Sequence, residues 1–203
     1  MICSEKELRI SDEHDGIMIL PDNLPLGTDF VTSYGSKFLS LNLDITPNRP
    51  DAMSHRGVAR DISSKTGREL LNIKIKKHKL IAKDSVDINI EDAKDCIRYI
   101  GGVVEGLTVG PSPNWMIDRL KACGQRSVNN IVDISNYVLL EIGHPTHIFD
   151  FEKLNSKKIS IRRAHKGEKI KTLDSKSNNL DDLNLIITDG MKPIALAGII
   201  GGE

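Results

Sequence analysis

A small set of polar side chains interrupts apolar stretches in the second half of the chain. Ser135 and Asn136 lie in an apolar, helix-like run, and His147 follows shortly after Pro145. A buried polar group without a partner costs about 1–3 kcal/mol, so this cluster predicts either an internal network or a polar ligand. An amide that donates and accepts, near an imidazole that titrates close to neutral pH, suits such a pocket. Gly198 ends an apolar run and would let the backbone approach a ligand closely.

A metal site is the second chemistry that these residues could support. His144, His147 and Asp150 are spaced three apart, and imidazole and carboxylate are ordinary metal ligands. However, Pro145 separates the two histidines, so they cannot be assumed to share one helical face. The chain contains no HExxH arrangement and no cysteine pair that would complete a site. The sequence therefore ranks a metal-dependent hydrolase well below a binding pocket.

Covalent catalysis and nucleotide chemistry are also weakly supported. Ser135 and His147 could form an acyl-transfer pair, but Ser135 is not on a Gly-x-Ser-x-Gly elbow, and a serine within a helix usually bonds to its own backbone. Two glycine pairs, 101–102 and 201–202, are isolated and form neither a P-loop nor a dinucleotide fingerprint. We therefore expect no cofactor in this chain and no ATP chemistry.

Composition limits the class of protein. The 203 residues include 28 basic and 28 acidic side chains, so any contact with RNA must come from local patches. Three widely spaced cysteines argue against a disulfide scaffold and suit a reducing compartment. No signal sequence and no apolar run long enough for a membrane is present. These features favour a cytoplasmic protein without a membrane partner.

The first half of the chain is rich in turn residues and predicts few elements. Short apolar or alternating runs predict strands at residues 17–20 and 38–45. Ser54 is placed to cap a helix that ends before Gly67, with an apolar stripe that includes Ile62. The basic run at 73–79 is either a solvated linker or an RNA-binding patch. A domain boundary is expected near residues 80–88.

The second half predicts an α+β domain with an antiparallel-rich mixed sheet. Ser112 and Pro113 predict a helix start, with the helix ending near Gly124, and a second helix at 128–142 would end at Gly143. Strands are expected at residues 86–90, 98–107, 159–163, 185–188 and 194–199.

Several motifs occur in an order that is similar to one family along the whole chain. They are residues 2–8; 43–51 with Ser54, Gly57, Ala59 and Arg60; 98–99 with Gly101; 110–115; 119–120 with Gly124; 129–138 with Glu141, Gly143, Pro145, His147 and Asp150; 162–164; 167–168; 172–174; and 195–199 with 201–202. Together they resemble the B3/B4 editing domain of the β subunit of bacterial phenylalanyl-tRNA synthetase, together with the region that precedes it. The resemblance implies a tail of an OB-fold region at residues 1–33, a smaller α/β B1-like segment at 34–85, and B3/B4 at 86–203.

The same resemblance implies an activity and partners. In this family B3/B4 hydrolyses Tyr-tRNA(Phe), while the full α2β2 enzyme charges tRNA(Phe) with phenylalanine by using ATP and Mg²⁺. The implied partners are therefore tRNA(Phe) and the α subunit. The abrupt end after Gly202 and Glu203 is expected of a piece of a longer polypeptide.

Site roles also follow from the resemblance. His147 and Asn136 match the catalytic positions, where His147 would position the ester or the attacking water. Ser135, Pro145 and Gly198 match positions that bind the substrate. The family often has Thr at position 135 and Gln at 144, and its acidic reader of the tyrosine hydroxyl lies beyond Glu203, so we expect the isolated chain to be a poor editor. The alternative function is a non-catalytic module that docks tRNA or the partner subunit.

Overall fold

The computed structural model describes residues 2–8, 10–11, 13–20, 22–34, 38–76 and 85–203. The chain forms two compact units, Met1–Leu41 and Asn42–Glu203. Residues 77–84 lie outside the described part. They include much of the boundary expected near residues 80–88 and the end of the basic run at 73–79. The division into segments 34–85 and 86–203 therefore stays a prediction. In the described ranges, no helix is long and apolar enough to cross a bilayer.

The first unit consists of turns and one short helix, α1 (Phe30–Tyr34). Local hydrogen bonds hold it, including one from the Met18 amide to the Cys3 carbonyl at 2.9 Å. The strand predicted at residues 17–20 is wrong. Ile19 is 86% exposed, and no strand in the described part of this unit is available to pair with the segment.

Helix α2 (His55–Thr66) forms as its end signals predict. The Gly57 amide donates to the Ser54 hydroxyl at 3.0 Å, and Gly67 ends the helix in the left-handed conformation with φ of 70°. The apolar stripe is less covered than expected, because Ile62 remains 54% exposed. The strand predicted at residues 38–45 is wrong, since alternation alone forms no strand where no described strand pairs with it.

A five-stranded mixed sheet forms the main layer and confirms the α+β prediction. The strands are β1 (Asp87–Ile90), β2 (Lys158–Arg163), β5 (Leu185–Thr188), β6 (Pro193–Leu196) and β7 (Ile200–Gly201). Their spatial order is β1-β2-β5-β6-β7, with a parallel β1–β2 pair and antiparallel pairs elsewhere. The buried core includes Ile159, Ile161, Ile187 and Ala195.

A small second sheet pairs β3 (Lys169–Lys171) with β4 (Ser177–Asn179), neither of which the sequence predicts. The strand expected at residues 98–107 does not form. The strand expected at 194–199 is instead a hairpin, because Gly198 adopts φ of 71° and turns the chain between β6 and β7. This turn matters for the candidate site, since it places β7 beside the loop described below.

Helices α3 (Asn114–Ala122) and α4 (Asn130–Ile142) form a packed pair. Both begin slightly later than predicted. Pro113 occupies the cap position of α3 instead of its first turn, while the Asn129 side chain accepts hydrogen bonds from the first amides of α4 at 3.0 Å. The ends of α3 and α4 lie where they were predicted, before Gly124 and Gly143.

Asp133 fixes the start of α4. Its fully buried carboxylate accepts hydrogen bonds from the Ser112 hydroxyl at 2.5 Å, the Ser127 hydroxyl at 2.6 Å and the Val128 amide at 2.9 Å. Burial alone would raise the pKa of Asp133, but these hydrogen bonds outweigh it and hold the pKa below its ordinary value. Ser112 therefore joins the two helices and does not cap α3.

Helix α2 packs against the C-terminal end of α4. The His55 ring nitrogen Nδ1 lies 3.0 Å from the Leu140 carbonyl, and a Cβ placed on Gly143 would lie 3.3 Å from that of Ser54. Packing against α2 near its C-terminal end and the buried Asp133 near its start hold α4 in place at both ends. The loop that follows α4 starts from a fixed point.

Candidate active site

The loop at residues 144–150 carries His147 and is defined at both ends. Gly143 ends α4 with φ of 75°, and its amide donates to the Leu139 carbonyl at 2.8 Å. At the other end, the Asp150 carboxylate accepts from the Glu152 amide at 3.2 Å and caps a short 3-10 turn. Pro145 lies exposed between these ends.

Ser135 ties this loop to the helix. Its hydroxyl lies 2.7 Å from the hydroxyl of Thr146 and donates to the Thr146 carbonyl at 3.1 Å. These contacts engage the serine with the residue directly before His147, whereas an activated nucleophile would hydrogen-bond to the imidazole itself. The geometry suits a positioning role for Ser135.

His147 is seated between an aromatic ring and the end of the sheet. Its ring centroid lies 4.1 Å from that of Phe149. A Cβ built on Gly201 would lie 2.8 Å from the His147 Nε2 and 3.0 Å from a methyl carbon of Leu173. Only glycine at position 201 leaves room for the ring as it stands.

The protonation of His147 follows from this seat. One side of the residue remains open to solvent, but its partial burial against apolar groups lowers the pKa of the imidazole. The ring is therefore mainly neutral at neutral pH, with one nitrogen that donates and one that accepts. A neutral imidazole is the form that can accept a proton from water.

Main-chain contacts join residues 171–173 to residues 201–203 and form the wall beside His147. The Leu173 amide donates to the Gly201 carbonyl at 3.0 Å, and Thr172 forms a bridge with Gly202. Glu203 extends the contact through an ion pair with Lys171. Residues 201–203 lie beyond the hairpin turn and pair with residues 171–173, so the wall depends on contacts between distant parts of the sequence.

Asn136 follows Ser135 on α4, and Gly198 lies in the turn between β6 and β7; among the described contacts of His147, neither residue appears. Within the part of the chain that the structure describes, the half-buried Asn136 amide makes no side-chain hydrogen bond, so it is available to a ligand. A Cβ on Gly198 would meet nothing within 4 Å, so the glycine is required there by its positive φ. Gly198 lies three residues before Gly201, on the same hairpin.

Sequence reasoning missed part of this arrangement. Close contacts link Ser135 through Thr146 to His147, and His147 to Gly201, whereas the sequence singled out neither Thr146 nor Gly201 for the site. Phe149 and Leu173 were missed as well. The only local signal was the 201–202 glycine pair directly after an apolar strand.

The metal hypothesis gains no support from the geometry. Across the described ranges, no three His, Cys, Asp or Glu side chains are placed to hold a metal ion. Asp150 is instead engaged as a cap and lies 3.6 Å from the Lys153 ammonium.

A separate groove of about 450 Å³ lies along α2. Its lining includes His55, Ile62, Leu71, Ile73 and Glu141, and contains none of the site residues predicted from sequence.

Comparison with known proteins shows which family the chain is related to. The chain is 43% identical over 205 residues to the phenylalanine–tRNA ligase beta subunit of Syntrophotalea carbinolica, 44% over 206 residues to that of Dehalococcoides mccartyi, and 42% over 203 residues to that of Thermotoga maritima. Each match covers 100% of this chain but only 25–26% of the relative, so the chain spans about a quarter of their length. The B3/4 domain model matches residues 95–203, which include the recess around His147. The chain therefore belongs to the B3/4 domain family.

Proposed function

We propose that this chain is part of the β subunit of a bacterial phenylalanine–tRNA ligase, and that its B3/4 region hydrolyses tRNA(Phe) mischarged with tyrosine. Identity of 42–44% over the full chain to subunits of that name supports the first part. The observation that carries the second part is the placement of His147, a mainly neutral imidazole that packs against Phe149 and Gly201 on a loop that Ser135 of α4 contacts through Thr146.

The chemical need for such a site is clear. A pocket that selects phenylalanine cannot strongly reject tyrosine, which only adds a hydroxyl group. A second site that removes the wrong amino acid restores fidelity without changing the first pocket. Phe149 and Leu173 beside His147 offer apolar surface to an aromatic side chain.

In the proposed reaction, a water molecule attacks the ester carbonyl carbon that links tyrosine to the terminal ribose. His147 accepts a proton from this water as the new C–O bond forms. The tetrahedral intermediate then collapses, the bond to the ribose oxygen breaks, and the same proton returns to that oxygen. The products are free tyrosine and uncharged tRNA, with no change in oxidation state.

The neighbouring residues have supporting roles in this proposal. Asn136 would donate a hydrogen bond to the aminoacyl group or to the developing oxyanion. Ser135 would hold the His147 loop through Thr146, and Pro145 and Gly198 would shape the entrance. Ser135 would form no covalent intermediate in this reaction, because its hydroxyl is engaged with Thr146.

ATP, Mg²⁺ and phenylalanine belong to the charging reaction of the complete α2β2 enzyme in this proposal. The α subunit and tRNA(Phe) are the corresponding partners. Hydrolysis by the B3/4 region uses water alone.

The test is deacylation of Tyr-tRNA(Phe) by the complete α2β2 enzyme that carries this chain. His147→Ala should reduce the rate at least about 100-fold, while His144→Ala, an exposed histidine in the same loop, should retain it. Tyrosine-selective deacylation that His147→Ala leaves unchanged would refute the assignment. Absence of deacylation by a folded enzyme that still binds tRNA would favour the docking-module alternative. The 203-residue chain alone is expected to be a poor editor.

A further inference from the structure

A compact aromatic and cationic cluster lies at the junction of α3 and α4, apart from the residues used above. Trp115 is 52% exposed. The Arg119 guanidinium carbon lies 5.5 Å from the centre of its indole ring, and the Tyr137 ring meets it edge to face at 5.5 Å. Arg119 also donates to the Tyr137 hydroxyl at 2.5 Å. We call Trp115, Arg119 and Tyr137 the indole platform.

The indole platform is held in place by its own contacts. The Arg119 guanidinium lies over the Trp115 indole and is held there by its hydrogen bond to Tyr137, which belongs to α4. A large aromatic surface that is braced yet half exposed loses little conformational entropy when a flat ligand stacks on it. Such surfaces bind nucleobases in single-stranded nucleic acid, because every base has a π face.

The charge around the indole platform fits the same ligand. Arg119, Lys121 and Arg126 are exposed and have no carboxylate partner within the described ranges, and Asp118 is the one acidic residue between positions 114 and 127. The chain as a whole is neutral, with 28 residues of each sign. Segment 114–127 therefore has three basic residues against one acidic residue, a local excess of positive charge of the kind that neutralises phosphates.

We propose that the indole platform stacks an unpaired base of single-stranded RNA, with Arg119 close to its phosphates. This inference deepens the proposed function, because it assigns a surface to the unpaired end of the tRNA. A helix rotates about 100° per residue, so Tyr137 lies roughly 200° around α4 from Ser135, on the opposite face of the helix. A strand that reaches both faces must therefore pass about halfway around a helix roughly 10 Å across, which takes several nucleotides.

The experiment uses the fact that Trp115 is the only tryptophan of the chain. A single-stranded RNA octamer of mixed sequence is added to the 203-residue chain, and the Trp115 emission is recorded. Saturable quenching is expected for the single strand, with much weaker quenching by a duplex of the same sequence, whose bases are already stacked. Affinities of variants are measured by the anisotropy of fluorescently labelled octamer.

Trp115→Ala should weaken binding at least about fivefold, whereas Trp115→Phe keeps a stacking ring and should retain most of it. Arg119→Gln should lower the slope of log affinity against log salt by about 0.7, as expected for one phosphate contact on a single strand. Phe151→Ala is the matched control, since it removes another aromatic ring that has a cation, Lys157, at 4.8 Å. Circular dichroism confirms that each variant is folded.

The proposal is overturned if Trp115→Ala and Phe151→Ala bind the octamer equally, or if the duplex binds as well as the single strand. It is also overturned if RNA leaves the Trp115 emission unchanged. Because the octamer carries no aminoacyl ester, this result is independent of the deacylation assay. If the complete enzyme does not deacylate Tyr-tRNA(Phe) while the octamer still binds the indole platform, the proposed hydrolysis is refuted and the RNA-binding proposal is not.

Discussion

The fit between His147 and Gly201 provides the sharpest test of the candidate site. In Gly201→Ala, the new methyl group would lie 2.8 Å from the His147 Nε2 and 3.3 Å from its Cε1. Ordinary contact begins near 3.4 Å, so the ring or the strand must move by about 0.6 Å. Phe149 packs close to the ring, which makes movement toward solvent the easiest response. The substitution should therefore displace the imidazole without removing it.

The expected magnitudes differ for activity and stability. Misplacing a catalytic group by about 1 Å can cost about 100-fold in rate, so a displacement near 0.6 Å should cost about tenfold. The free energy of unfolding should fall by no more than about 1–2 kcal/mol. The added methyl group costs about 1–3 kcal/mol through overpacking, and the lower entropy of the unfolded chain offsets part of that cost. Gly201 does not have a positive φ, so alanine brings no backbone strain.

The assay compares deacylation of Tyr-tRNA(Phe) and thermal unfolding of the complete enzyme for the wild type, Gly201→Ala and Gly102→Ala. Gly102 is the matched control, since a Cβ there meets nothing within 4 Å and its φ is not positive. A wild-type rate for Gly201→Ala with unchanged stability would show that the imidazole does not lie against β7 in the working enzyme. Equal losses in both variants would point to a general effect of added methyl groups.

Three further predictions test the site and its support. Ser135→Ala should reduce deacylation about three- to tenfold by freeing the loop from its contacts with Thr146, whereas Ser135→Thr should rescue it. Because the pKa of His147 is lowered in the folded protein, the unfolded chain takes up a proton first as the pH falls below about 6.5. The free energy of unfolding should therefore decline below that pH, and decline less in His147→Gln. Urea unfolding from pH 5 to 8 measures this. Glu168 has a pKa of about 2, chiefly through the Arg162 side chain. Glu168→Gln should therefore cost on the order of 3 kcal/mol at pH 7, and this cost should vanish as the pH falls from about 4.5 toward 2.

Local signals in the sequence predicted the helix ends well. Ser54 and Gly67 bound α2, and Gly143 ends α4, because caps depend on hydrogen bonds within a few residues. The failures come from strands. Residues 38–45 alternate but have no described partner strand, and a β pattern is not sufficient without one.

The candidate site was predictable only in part. Type and spacing singled out Ser135, Asn136 and His147, because polar groups in apolar stretches are conspicuous. The contact between His147 and Gly201 joins residues that are 54 positions apart, so no local pattern encodes it. Leu173 enters the site for the same reason, through its main-chain bond to Gly201.

The parallel β1–β2 pair has a consequence for the order in which the protein folds. Ile90 pairs with Ile161, and α3, α4 and the His147 loop all lie in the intervening chain. Closing so long a loop is slow compared with forming the β5–β6–β7 meander, whose contacts are local. We therefore expect the meander to assemble early and β1 to dock late, so that partial release of this four-residue edge strand loosens the helices while the meander persists. Amide hydrogen exchange would then be faster in β1 than in β5.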